Sequence, residues 1–387
     1  MTAQQAMADV AVNATNFPDA NFRSYITEEL DGDHNGILSD AEIANVQSMD
    51  CSSRGITSLV GIKHFINLYY LYCQDNAIVT LDVSGLQNLN DINLDGTGCQ
   101  TLIAQNTPSL GYNDSWPVKT VDFSNKGSNS ISIYANYVWN DSESHWEPAD
   151  NPLETLILSN SPELESIYIY QFKNLKSVVL NGNEALWEVA VFNNPSLESV
   201  SLENSKAVKN TYLENCTSLN SITWGNKALV ESLNISKCGI PSFDLTEMTS
   251  LESLYMNDTN KWGNTLDVSG LTQLYSIEMS GTTIETLVAQ NTPNLGYNDS
   301  WPVKTVDFSN KGSNSISIYA NYVWNDSESH WEPADNPLET LILSNSPELE
   351  SIYIYQFKNL KSVVLNGNEA LMEVYVYNNP SLESVSL

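Results

Sequence analysis

Basic side chains are scarce in this chain of 387 residues: 16 lysines and arginines stand against 47 aspartates and glutamates, a net charge of −31. So acidic a surface repels nucleic acid and anionic membranes, and it attracts cations and basic partners. Long apolar runs are missing too, and no stretch approaches the roughly 20 residues that a membrane helix needs. The opening MTAQQAMADVAVNA has neither the basic segment nor the apolar core of a secretory signal. Histidine occurs four times, never in a metal spacing or beside a nucleophile motif. No phosphate loop and no dinucleotide fingerprint occurs. With these signatures absent, the chain reads as a binding protein and not as an enzyme. Disorder is excluded by the apolar content of 41% with 19 tyrosines and 9 tryptophans.

What is present is a short phrase repeated. Leu153, Leu164, Leu175, Leu186 and Leu197 recur every eleven residues, and each opens seven residues that are apolar at the first, fourth and sixth positions. The alternation at the end of the phrase is that of a short half-buried strand. Such a strand cannot stand alone, so copies must stack around a shared interior. Two phrases make 22 residues, and LKSVVLNGN and LWEVAVFNN fit a leucine-rich repeat with Asn183 and Asn194 at the ladder position. The spacing predicts a mainly β, right-handed leucine-rich repeat solenoid of short parallel strands over residues 51–387. Five cysteines, an odd number, follow the repeat register, with Cys216 and Cys238 at ladder positions and Cys73 and Cys99 on inward ones. They read as buried free thiols rather than a disulfide scaffold. Stacked rungs would still bring Cys216 and Cys238 within bonding range.

Residues 1–16 carry no pattern and read as a frayed terminus. A small α-helical cap is expected over 17–50, with Phe22, Tyr25, Ile26 and Leu30 at helical spacing. Inside it stands DGDHNGILSDAE, the full pattern of an EF-hand-type loop. A hard cation wants six to eight oxygens at one point. Asp31, Asp33 and Asn35 offer side-chain oxygens, Ile37 its carbonyl, Ser39 a hydroxyl or a water, and Glu42 two oxygens, while Gly36 makes the sharp turn. The expected ion is a structural Ca2+. Ser39 and Glu42 also form a capping box for a helix whose Ile43, Val46 and Met49 share a face.

The phrases GITSLVGI, LYYLYCQDN and LDVS, from residue 55 onward, resemble bacterial leucine-rich repeat proteins of the internalin-like surface class. The resemblance covers roughly residues 17–387 and implies a secreted or surface-attached binding protein whose first repeat is covered by an EF-hand-like helical cap. In many members that loop lacks ligands, whereas here every ligand position is filled. No anchoring segment and no closing cap follow, two departures from the pattern. Localisation is accordingly expected at the cell surface or outside the cell, with the signal and anchor absent from this sequence.

Residues 102–202 and 287–387 match at an offset of 185 with five differences: Ile103/Val288, Ser109/Asn294, Trp187/Met372, Ala190/Tyr375 and Phe192/Tyr377. Each copy breaks the eleven-residue beat twice, at Tyr134–Pro152 and at Gly111–Val118 in the first. Counting half-rungs between equivalent points gives fifteen, an odd number that cannot return a strand to its own sheet; the miscount is expected inside these breaks.

Outward positions of the strand phrase suggest a recognition surface. Tyr168 and Tyr170, Ala190 and Phe192, and Tyr212 are expected side by side, as are Tyr353, Tyr355, Tyr375 and Tyr377 in the second copy. Trp187 and Met372 lie at the bend entering the altered strand, so three of the five differences fall within six residues. Tyrosine and tryptophan are the residues on which binding energy concentrates. An unidentified protein partner on this aromatic sheet is the leading reading. A second is a glycan bound by the Trp-rich loops, through Tyr137, Trp139 and Trp146 with Tyr322, Trp324 and Trp331. A third is end-to-end self-association through an uncapped C-terminus, because the sequence stops in mid-strand at Ser386-Leu387.

Overall fold

The structure is a computed structural model that describes residues 9–142, 144–325, 327 and 329–387. It is mainly β, 27% strand against 6% helix, and the strands build a parallel solenoid. The chain forms two compact units. The first runs to Trp187 and adds Phe192–Ala207 and Ile222–Gly225; the second comprises Glu188–Val191, Val208–Ser221 and Asn226–Leu387.

The first unit begins with a strand, Val10–Ala11, which pairs antiparallel with Ile37–Leu38 in the acidic loop. The expected frayed terminus is therefore ordered from Asp9, because the loop's own edge offers it hydrogen bonds such as Val12 N–H to the Gly36 carbonyl at 2.9 Å. The helix Ala20–Glu29 starts at Asp19, whose carboxylate accepts the Phe22 N–H, and it buries Phe22, Tyr25 and Ile26. The second helix, Asp40–Asn45, has the Ser39/Glu42 capping box. It is shorter than expected. Val46 turns extended (φ −79°, ψ 95°), and Ser48–Asp50 is already the first strand of the array, so Met49 is buried as a strand residue.

Two kinds of sheet follow. In the first unit Thr80–Asp82, Thr101–Ile103, Thr120–Asp122, Thr155–Ile157, Ser177–Val179 and Ser199–Ser201 form one parallel ladder. The other face carries Ser48–Asp50, Tyr70–Tyr72 and Asp91–Asn93, and separately Ser130–Tyr134 beside Ser166–Tyr170. The second unit repeats the arrangement, with Thr265–Asp267, Thr286–Val288, Thr305–Asp307, Thr340–Ile342, Ser362–Val364 and Ser384–Ser386 in one ladder. Its other face holds Glu188–Phe192, Asn210–Tyr212, Ser232–Asn234, Ser253–Tyr255 and Ser276–Glu278, and separately Ser315–Tyr319, Ser351–Tyr355 and Glu373–Tyr377.

Leucine at the first position of the phrase and apolar residues at the fourth and sixth fill the interior: Leu153, Leu156, Leu158, Leu175, Val178 and Leu180 are all 0% exposed. The ladder position holds successive rungs together. Buried Asn183 accepts from Ser161 N–H at 2.8 Å and donates to the carbonyls of Leu158 and Leu180 at 2.8 and 2.9 Å. Where the rung has another residue it still donates to a carbonyl behind it: Ser205 to Leu180, Thr259 to Ile235, Cys216 to Val191. The residue before the ladder position has a left-handed backbone, as at Asn160, Gly182, Asn193 and Asn204. Glycine and asparagine tolerate that conformation best. All five cysteines are buried free thiols.

The odd half-rung count has a physical explanation. Ser130–Tyr134 is a full strand, and its last residue falls at the start of the segment expected as a loop. Ahead of it, Gly111–Trp116 stands in a rung's place without forming a strand. Trp116 is buried and its Nε1 donates to the Ile92 carbonyl at 2.9 Å, so an indole satisfies an acceptor that a strand would otherwise take. Trp301 does the same to Ile277 in the second unit.

Candidate recognition surface and calcium loop

The acidic loop brings three of its predicted ligands together: single oxygens of Asp31, Asp33 and Glu42 lie within 4.8 Å of one another. Asp31 is 0% exposed, and its two oxygens accept Asn35 N–H at 3.2 Å and Gly36 N–H at 2.9 Å. Asn35 Oδ1 accepts the Ile37 N–H at 2.7 Å, and Gly36 takes φ 79°. Glu42 accepts Ser39 N–H and hydroxyl at 2.9 and 2.8 Å and Gly32 N–H at 2.7 Å. Those bonds, the Ser39 N–H first, hold its carboxyl below the usual carboxylate range. Clustered carboxylate oxygens at loop positions one, three and twelve are the donor set a hard divalent cation takes.

The tyrosine face is built by alternation. In Ser166–Tyr170 the isoleucines 167 and 169 point inward and are 0% exposed, leaving Tyr168 and Tyr170 outward with rings stacked 6.5 Å apart at 4°. Tyr170 stacks on Phe192 at 5.5 Å. In the second unit Tyr353 and Tyr355 lie 6.3 Å apart, and Tyr353 stacks on Tyr375 at 5.0 Å and 5°. Tyr353 also donates its hydroxyl to Glu373 at 3.3 Å. Strand register adds two residues the sequence reading missed: Tyr134 pairs with Tyr170, and Tyr319 with Tyr355, both rings more than half exposed. The SISIY alternation repeats SIYIY and was the available signal.

One predicted contact fails. Ala190 is only 1% exposed, because a methyl group does not rise past larger neighbours such as its register partner Tyr212. The corresponding Tyr375 stands 49% exposed and Tyr377 63%, on a strand that forms the edge of its three-stranded sheet. Part of that exposure belongs to the edge, since inward Val374 is 36% exposed where Val189 is buried. Trp187 and Met372 are both exposed at the bend, as expected.

The Trp-rich break is a hairpin, Tyr137–Asn140 against His145–Pro148, with Trp139 opposite Trp146 in the backbone register. It follows Ser130–Tyr134 and so leaves from the tyrosine sheet, as its place in the chain required. Gln171 donates to the Tyr137 hydroxyl, and Lys173 pairs with Glu147 at 3.5 Å, which ties the hairpin to the tyrosine strand's end. Tyr322–Asn325 and His330–Pro333 repeat it, with Trp331 62% exposed and Tyr322 42%. The side chains of Trp139, Trp146 and Trp324 lie outside the described ones.

No family model matches the chain. Over 68 residues, 18% of this chain, it is 34% identical to internalin J of Listeria monocytogenes serotype 4b (strain F2365), and over that stretch it is internalin-like in sequence. The match takes in 7% of that relative's length. Among solved structures, the functional domain of InlJ from Listeria monocytogenes, which includes a cysteine ladder, is 16% identical, with 93% of this chain and 82% of that one covered and a TM-score of 0.29. An internalin (inlF) from the same species is 17% identical, covering 73% and 94%, with a TM-score of 0.24. The Leptospira interrogans LRR protein LIC12759 is 14% identical, covering 85% and 92%, with a TM-score of 0.19.

Proposed function

We propose that the chain is a recognition module of the cell surface or extracellular space that binds a protein partner on its tyrosine face, with a structural calcium ion in the helical cap. The observation that carries this reading is the set of outward rings on a parallel sheet, Tyr353 stacked on Tyr355 and Tyr375, with Tyr377 opposite Tyr355 in the strand register. Tyrosine supplies large contact area with one polar tip and little rotamer freedom to lose, which suits a preformed binding surface. The two altered outward positions between the copies fall on this same strand, while the exposed hairpins are identical. Asp31, Asp33 and Glu42 would hold the ion, with Asn35, the Ile37 carbonyl and Ser39 completing the shell; its chemistry there is to bridge the two helices of the cap. The test begins with a partner isolated on the immobilised chain. Tyr375→Ala combined with Tyr377→Ala is expected to weaken it at least tenfold, about 1.4 kcal/mol. Undiminished affinity in a folded double variant would remove the tyrosine face from the interaction.

A further inference from the structure

Each unit contains a slot where the tyrosine-side sheet lacks a strand. In the first, Asp91–Asn93 and Ser130–Tyr134 are both sheet-edge strands, and a cavity of about 400 Å³ opens between them, lined by Asn90, Asp91, Tyr112, Asp114, Ser132 and Tyr134 among others. In the second, Ser276–Glu278 and Ser315–Tyr319 border one of about 320 Å³ with the same loop residues 185 positions on. Gly111–Trp116, and Gly296–Trp301 in the second unit, pass between the two edges without forming a strand, and their residues line the slot. Volumes of this order lie at the small end of small-ligand sites.

The slot is rigid. Tyr112 packs edge-on against Trp116 and Phe172, and its hydroxyl donates to Asn151 Oδ1 at 3.0 Å. Asn151 returns a bond to the Asp114 carbonyl at 2.8 Å, and the Asp114 carboxylate accepts the Asn136 N–H at 3.3 Å. Tyr297, Trp301, Asn336 and Asp299 reproduce all of this. What still faces the opening is a tyrosine ring beside small hydroxyl, amide and carboxylate groups. Ser132 Oγ and Tyr134 Oη have no hydrogen-bond partner among the described residues.

We propose that each slot binds a short neutral saccharide, with Tyr134 or Tyr319 as the stacking ring. Paired donors and acceptors in a shallow polar cleft match the hydroxyls of a sugar, and an exposed ring matches its apolar face. No lysine, arginine or histidine lines either slot, and the chain carries −31, so anionic ligands are disfavoured. An inserted peptide strand fits less well. Gly111–Trp116 already stands in the strand's place, and Trp116 and Asp114 already use the Ile92 carbonyl and the Asn136 N–H. One wall differs between the slots, Asn90 and Asp91 against Tyr275 and Ser276, so the two are expected to bind the same class with unequal affinity.

Gly111 and Gly296 provide the test, because a Cβ added to either meets nothing within 4 Å. Both glycines line their slots, so tryptophan there is expected to occupy the space a ligand would need. The intact chain is screened on an array of neutral hexose and N-acetylhexosamine oligosaccharides, then titrated with the glycan of strongest signal. Two sites of unequal affinity are expected in the parent; Gly111→Trp should remove one, Gly296→Trp the other, and the double variant should bind at least tenfold more weakly, while Gly111→Ala binds as the parent does. Melting temperatures establish that the variants are folded. Absence of any neutral glycan above background, or full binding by the double variant, overturns the proposal, as does capture of extended peptides instead of glycans at these slots. Tyr375 and Tyr377 line neither slot, so their double variant should keep glycan binding whether or not the tyrosine face binds a protein.

Discussion

At the scale of single residues, buried polar groups decide how tightly one rung is tied to the next. Asn183→Ala leaves the Ser161 N–H and the Leu158 carbonyl unpaired in the interior, while the Leu180 carbonyl keeps its bond from the Ser205 hydroxyl. The expected loss is about 3 kcal/mol, read by urea unfolding. Asn183→Thr should lose roughly half as much, because Thr259 shows that a hydroxyl at this position still reaches the carbonyl behind it. Equal losses would mean that the amide's second and third bonds contribute nothing. Buried lysines give a second residue-scale outcome. Lys126 Nζ donates to the Thr107 carbonyl at 3.1 Å and to that of Leu110, 4.8 Å from the Phe123 ring centre, and Lys311 repeats this. Burial pushes both ammonium groups down to about 8 from the ordinary 10.5. Between those values the unfolded chain binds more protons than the folded one, so stability rises with pH across that window, and the charged-state penalty is fully present below it. Relative to a Lys126→Met, Lys311→Met variant, the parent should gain up to about 1.4 kcal/mol per pH unit per lysine from pH 8 to 10.5. A difference that stays flat with pH would show that the amines are hydrated.

At the scale of elements, the acidic loop and the N-terminal strand form one device. Glu42 is shared between capping the helix Asp40–Asn45 and closing the cluster with Asp31 and Asp33. Calcium is expected to bind with a dissociation constant on the order of 10⁻⁴ to 10⁻³ M and to raise the melting temperature at millimolar concentration by mass action. Glu42→Ala should abolish that rise; an unchanged calcium response in the variant would show that the loop holds no ion. Val12 N–H closes on the Gly36 carbonyl, so Val12→Pro removes a bond that fixes the loop's far side. That variant is expected to weaken calcium binding several-fold by direct titration while leaving all the ligands in place.

At the scale of the whole molecule, charge is the dominant long-range term. The ion pairs that bridge rungs, such as Lys176 with Glu154 and Lys361 with Glu339, are solvent-exposed and worth little each. Against them stands a net charge of −31, whose self-repulsion opposes the compact state. Sodium chloride raised from 10 to about 150 mM shortens the screening length from roughly 30 to 8 Å and should therefore raise the melting temperature. A fall in melting temperature would mean that the rung-bridging pairs outweigh the repulsion. Potassium glutamate at equal ionic strength controls for chloride binding.

Periodicity by itself determined the solenoid. An eleven-residue apolar beat admits no other burial, so the inward leucines, the Asn183 and Asn194 ladder, the free cysteines and the acidic loop were all readable from residue spacing. Tertiary structure decided what spacing does not encode. Val10–Ala11 becomes a strand only because the folded loop presents an edge to it, and Ser48–Asp50 leaves the helix because a parallel neighbour at Tyr70–Tyr72 satisfies its backbone. Ala190 reads as outward by alternation, yet its short side chain lies below its neighbours, a matter of height that register does not specify. Gly111–Trp116 reads as a loop and occupies a rung, since a tryptophan nitrogen can replace a strand's hydrogen bond across a distance that only the packed neighbours set. Hydrophobic periodicity is a local property of the chain and survives in the sequence; the satisfaction of a backbone group by a residue 24 positions away is not local, and it exists only once the rungs have stacked.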